Sequence, residues 1–127
     1  MSPARTIFAV LLGYLALLVL EVIGGIAAGA IVHARTGAGV LIAGEIVVLV
    51  SAIAAGAITA RTARERPLAH AGALGLSILS VTAVLAAVSP RSAHATVPVW
   101  YPYAIALFGG VGAFIGGALA SGSTREA

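Results

Sequence analysis

Polar and charged positions along the chain fall into short clusters, and between them run four apolar stretches at about 7–32, 40–60, 68–88 and 99–120. A helix rising about 1.5 Å per residue needs roughly 20 residues to cross a hydrocarbon core of about 30 Å, and each stretch is near or above that length. They read as spans rather than as buried helices of a soluble core. The breaks at 33–39, 61–67 and 89–98 carry most of the charge. Pro67 and Pro102 suit the first turn of a helix, where a missing N–H costs nothing. The pattern predicts an all-α protein, a single transmembrane domain over 1–127 built as a four-helix bundle.

Composition agrees. The chain is 61% hydrophobic and 9% charged, far from the globular norm. Its formal charges are seven arginines and four glutamates; lysine, aspartate, asparagine and glutamine are absent. The basic pI of 10.2 does not indicate nucleic acid, because the arginines are spread over segment ends and form no phosphate-binding face. Without cysteine there are no disulfides, thiolate metal sites or thiol nucleophiles.

Cytoplasmic loops retain positive charge, so the arginines set an expected orientation. Arg5, Arg61, Arg64, Arg66 and Arg125 fall on one side, Arg35 and Arg91 on the other. Both termini are therefore expected in the cytoplasm, which places Trp100, Tyr101 and Tyr103 at the outer interface, where amphipathic rings prefer to sit. The first stretch also has the layout of a secretory signal, with Arg5 ahead of an apolar run over 7–20. A further apolar run beyond Glu21 makes the segment long enough to span, and it is expected to stay. The sequence Ile-Ala-Ala-Gly-Ala-Ile occurs at 26–31 and again at 53–58. Transporters are often built from repeated halves. The flanking glutamates of these two copies do not align, however, and the repeat carries no functional weight.

Glu21 is the most informative residue. An ionisable group near the middle of a span costs several kcal/mol on insertion scales unless it is paired, protonated or hydrated. Projected at about 100° per residue, Tyr14, Gly24, Gly25 and Ala28 lie within about 60° of it, joining the carboxyl to a small-residue groove. Glu45 lies about five residues into the second span, on the face of Ala52, Gly56 and Thr59, and only about 8 Å from Glu21 in depth. Two carboxyls held close in a low dielectric cannot both ionise easily, so one would retain a proton, which is the chemistry of a proton relay or cation site. Glu21, Glu45, Tyr14 and Thr59 are thus the candidate ion- or proton-binding residues. In the structural alternative each neutral glutamate bonds a neighbouring helix, or Glu45 pairs with Arg35 or Arg91.

In the third span His70, Ser77 and Ser80 share a face, with Thr82 elsewhere. The simpler account is that His70 sits at the cytoplasmic interface and that the hydroxyls bond their own helix backbone. His33 and His94 lie on the outer side and His70 on the inner, so no bis-histidine haem pair is evident, and no metal or cofactor is expected. In the fourth span Gly109, Gly110, Gly112, Ala113, Gly116, Gly117 and Ala120 occupy about 160° of the helix wheel. This glycine ribbon, like Gly25 and Gly29 in the first span and Gly56 in the second, lets backbones approach closely. The ribbon is expected to pack mainly within the chain, and neighbours in an oligomer are the other possibility.

No zinc-protease helix, nucleophile elbow or Walker loop is present, so catalysis is not expected. The segment from Ala55 to Ala60, the arginine-rich turn, and the following Pro67, Leu68, Ala69, His70, Ala71 and Gly75 resemble small, uncharacterised four-span bacterial membrane proteins. The resemblance covers about the central third of the chain; it implies four helices in a bacterial plasma membrane and no particular activity. The residues themselves favour a helix-packing or accessory membrane subunit, in contact with the lipid bilayer and with copies of itself or another membrane protein. The second expectation is a small oligomeric proton- or cation-coupled transporter or channel using Glu21 and Glu45.

Overall fold

A computed structural model describes residues 3–31, 37–63, 65–89 and 97–123 of the chain. They form four helices, α1 (Pro3–Ile31), α2 (Ala38–Ala63), α3 (Pro67–Val88) and α4 (Tyr101–Ser123). Each is long and apolar enough to cross a membrane. In lipid every backbone polar group has to be satisfied within its own segment, which a helix achieves. The protein is an all-α, four-helix transmembrane bundle and a multi-pass membrane protein.

The helices outrun several of the apolar stretches, because backbone hydrogen bonding continues where the side chains turn polar. α1 begins at Pro3, ahead of Arg5, and α2 extends through Arg61 to Ala63. A cation in the last turn of α2 complements the partial negative charge of that helix end. α4 instead starts later than position 99. Val99 and Trp100 form a turn, and the Trp100 carbonyl accepts the first bonds of the helix, from Tyr103 and Ala104, both at 3.1 Å. Pro102 in this first turn has no N–H to leave unpaired.

Among the described residues α2 touches all three other helices, α4 packs on α2 and α3, and α1 lies along α2 with a lighter contact to α3 and none to α4. The order around the bundle is therefore α1, α2, α4, α3. Leu17, Ala52, Ala55, Leu74, Ile78 and Ala113 form its centre, with Val10 and Tyr14 packed against them. Lipid tails are as apolar as leucine, so association rests on close packing rather than on the hydrophobic effect.

Glycine permits that packing where α2 and α3 meet α4. A Cβ added to Gly56 would run into the backbone carbonyl of Ala113, and one added to Gly116 into that of Ile53. Across the α3–α4 contact, a Cβ on Gly75 would lie 2.6 Å from the Gly110 carbonyl oxygen. Gly109, Gly112 and Gly117 likewise face Ile78, Ala52 and Ala71. The α4 ribbon is thus occupied by the chain's own α2 and α3. Gly25 differs, since a Cβ there would meet nothing within 4 Å, and the same open space surrounds a Cβ at Gly29.

At the end of the bundle where α1 and α3 begin, His70 corrects an expectation. Its ring is 3% exposed and is not an interface-facing group. Nδ1 donates to the Arg66 carbonyl at 3.0 Å, which leaves Nε2, 3.1 Å from Thr6 Oγ1, to accept the hydroxyl proton. Arg66 holds a left-handed backbone at φ 49, a conformation that costs a non-glycine residue about 1–2 kcal/mol. Its carbonyl also accepts the backbone N–H of Ala69 at 3.0 Å and of His70 at 3.4 Å, which offsets that cost. Ser77 bonds the Ala73 carbonyl of its own helix at 2.8 Å, and Ser80 is exposed, so the third span presents no polar stripe to the interior.

Candidate functional site

Glu45 stands seven residues into α2, about 10 Å along the helix from Ala38, toward the end of the bundle where α4 begins. Its face is continuous with buried Ala52, Gly56 and Thr59, but at this depth the neighbouring element is the first two turns of α4. Leu41, Ile42, Ile46 and Leu49 of α2 form one wall of a recess of about 350 Å³; Trp100, Tyr101, Ala104 and Phe108 form the other. Both carboxyl oxygens of Glu45 are buried and neither has a hydrogen-bond partner. This is the unusual feature of the molecule, because a buried polar group left unpaired costs about 1–3 kcal/mol, and more if it is charged.

The polar atom best placed to bond the carboxyl is engaged elsewhere. Tyr101 donates its hydroxyl to the Leu41 carbonyl at 3.1 Å. The phenol fits there because residue 44 is glycine: a Cβ on Gly44 would collide with the Tyr101 hydroxyl. Leu41 lies one helical turn before Glu45, so the hydroxyl is bonded to the backbone of the helix that carries the carboxyl, and both residues line the recess. Trp100 meets Tyr101 edge to face, with ring centroids 6.0 Å apart and planes at 73°. That pairing orients two of the aromatic groups around the recess.

The four residues anticipated as an ion site do not assemble. Glu21 is half-buried on α1, a helix that makes no contact with α4, and it does not line the Glu45 recess. With both Glu45 oxygens unbonded, the two carboxyls share no proton across a hydrogen bond. Tyr14 packs on the central apolar cluster. Thr59 is fully buried, donates to the Ala55 carbonyl at 2.9 Å and closes against Gly13. It lies about 21 Å along α2 from Glu45. The separation has a simple cause: similar depth in neighbouring helices does not make two side chains converge, and α2 turns Glu45 into the recess with α4. Arg35 and Arg91, the other expected partners of Glu45, lie outside the described residues.

Tyr101, Trp100 and Phe108 are the site residues that sequence reasoning missed. The first two had an adequate explanation as interface aromatics. The usable signal was depth, since Glu45 in the early part of α2 and the aromatic start of α4 fall at the same end of an antiparallel pair.

Two further recesses are apolar. One of about 480 Å³ lies between α1 and α2, where Gly24, Ala27 and Ala28 face Ala43, Val47 and Ala54. Another of about 400 Å³ lies between α3 and α4 around Gly72, Gly75 and Phe114. Among the described residues no group of three or more His, Asp or Glu side chains is placed to hold a metal ion. Comparison with protein-family models, with curated proteins and with solved structures finds no match to this chain.

Proposed function

We propose that the protein is a small proton- or cation-coupled membrane transporter, working as an oligomer in a bacterial plasma membrane and using Glu45 as its exchanging group. One observation carries this reading: a membrane-embedded carboxyl, buried and without a hydrogen-bond partner, lies in a recess between two helices. Such a group is costly as a bare anion, so it is occupied by a proton or by a cation, and exchange between them is the elementary step of coupled transport. Ionisable residues inside spans mark pathways for this reason. Both termini face the cytoplasm in this reading, as the arginine distribution favours, and the recess then opens near the outer leaflet. The protein binds and moves its ligand rather than transforming it.

The α4 glycine ribbon, which favoured a packing subunit, is engaged within the chain and so offers less to a partner than its composition suggested. The accessory reading retains one specific observation, the small-residue groove between α1 and α2 beside the open face of Gly25. In that reading the groove receives a helix from a second copy.

The test is flux in liposomes reconstituted with purified protein. Glu45-dependent movement of protons or cations down an imposed gradient is expected, and Glu45→Gln should abolish it while leaving the helical content unchanged. Absence of flux of either kind over a range of gradients and pH would reject transport and leave the packing subunit.

A further inference from the structure

We propose that the α2–α4 recess binds a lipophilic organic cation, with Glu45 as counter-ion and Trp100, Tyr101 and Phe108 as an aromatic wall. This rests on the reading of Glu45 as the exchanging group and names the class of ligand it exchanges. The lining distinguishes between kinds of cation. A small inorganic ion stripped of water needs several oxygen ligands in place of its hydration shell. Glu45, whose carboxyl oxygens are buried, and the Tyr101 phenol are the only oxygen-bearing side chains on the recess; the rest are aliphatic or aromatic. That donor set is too poor for a hard ion. A quaternary ammonium or phosphonium is weakly hydrated, needs no directed ligands, and gains from aromatic faces as well as from a single opposite charge. The volume of about 350 Å³ lies within the range of small-ligand sites, about 300–1,000 Å³.

Access points the same way. Ile42, Ile46, Trp100 and Phe108 are all exposed on the outer surface of the bundle, so the recess opens sideways to the bilayer close to the interfacial end of α4. Lipophilic cations reach a lateral opening from the membrane itself, whereas a hydrated ion would need a water-filled path. Tyr101 is the other titratable group on the recess, and its hydroxyl is held by the Leu41 carbonyl. Exchange therefore balances on Glu45: the neutral carboxyl releases one proton as one monovalent cation binds, and the reverse step returns it.

Trp100 is the only tryptophan in the chain and lies on the wall of the recess, so its fluorescence reports occupancy directly. Titration of the purified full-length protein in detergent with tetraphenylphosphonium should give saturable quenching, with release of one proton per cation bound in weakly buffered solution. Glu45→Gln should weaken the saturable component at least tenfold, and Phe108→Leu should weaken it several-fold with the fold intact by circular dichroism. Quenching of equal size in Glu45→Gln would overturn the proposal, since it would report partition into the detergent alone. If tetraphenylphosphonium is inert but sodium, potassium or protons change the Trp100 signal through Glu45, the ligand class is wrong and the exchange reading stands. A signal that responds to none of them overturns both.

Discussion

His70 Nε2 lies 3.1 Å from Thr6 Oγ1, tying the first turn of α3 to the first turns of α1 across 64 residues of sequence. It is the side-chain to side-chain hydrogen bond between helices among the described residues, and it fastens the helix with the least buried span. Thr6→Val should lower stability by about 1 kcal/mol, and the coupling between positions 6 and 70 should be about 0.6 kcal/mol, the average for hydrogen bonds between membrane helices. A double-mutant cycle with Thr6→Val and His70→Phe, followed by unfolding in mixed micelles, measures it. Additive losses would show that the two side chains do not act together.

Glycine substitutions should separate contacts inside the bundle from its free surface. Gly56→Leu and Gly116→Leu drive a side chain into a facing backbone carbonyl, which cannot rotate away as a side chain can. Overpacking a tight contact costs about 1–3 kcal/mol and more when backbone must move, so both variants should fail to give a folded, monodisperse protein in detergent. Gly25→Leu enters open space and should leave the thermal midpoint within a few degrees of the parent. If Gly25→Leu keeps the fold but abolishes association of copies, the α1 face is the oligomer interface.

Loss of the Tyr101 hydroxyl isolates its bond to the helix backbone. Tyr101→Phe keeps the ring beside Gly44 and Trp100 and removes the 3.1 Å bond to the Leu41 carbonyl, at an expected cost of about 1 kcal/mol. The Trp100 emission maximum should change little, because the edge-to-face neighbour remains. A large red shift would mean that the hydroxyl, not the ring packing, holds the aromatic wall in place.

The two membrane glutamates should behave differently. Glu45→Gln removes the only carboxyl in its recess and should abolish flux; Glu21→Gln, on a helix that does not touch α4, should retain at least half of it. Proteoliposomes prepared at matched protein density give the comparison. Equal loss in both variants would require a path that joins the two carboxyls.

Much of the architecture was legible in the sequence because the bilayer imposes it. A run of about 20 apolar residues flanked by arginines has one cheap solution in lipid, and four such runs joined by short breaks make a bundle. The helix ends at Pro67 and near Pro102 followed from the missing proline N–H. Glu21 and Glu45 stand out as costly from their positions within apolar runs alone. What each of them faces was not legible, since residues on a helix wheel share a face without saying which neighbour that face meets.

The neighbours were decided by tertiary packing. Glu45 lines the recess between α2 and α4, which Glu21 does not reach, and the two carboxyls share no hydrogen bond; Thr59 closes against Gly13 rather than joining an ion site. His70, placed by sequence at an interface, is buried by its bond to Thr6. The glycine ribbon of α4 is taken up by α2 and α3, leaving the open small-residue surface on α1. Sequence determined the number of spans and that each is long enough to cross, because these depend on transfer from water to hydrocarbon, residue by residue. The partner of each charge depended on which helices lie side by side and how each is rotated, and only the packed bundle sets that.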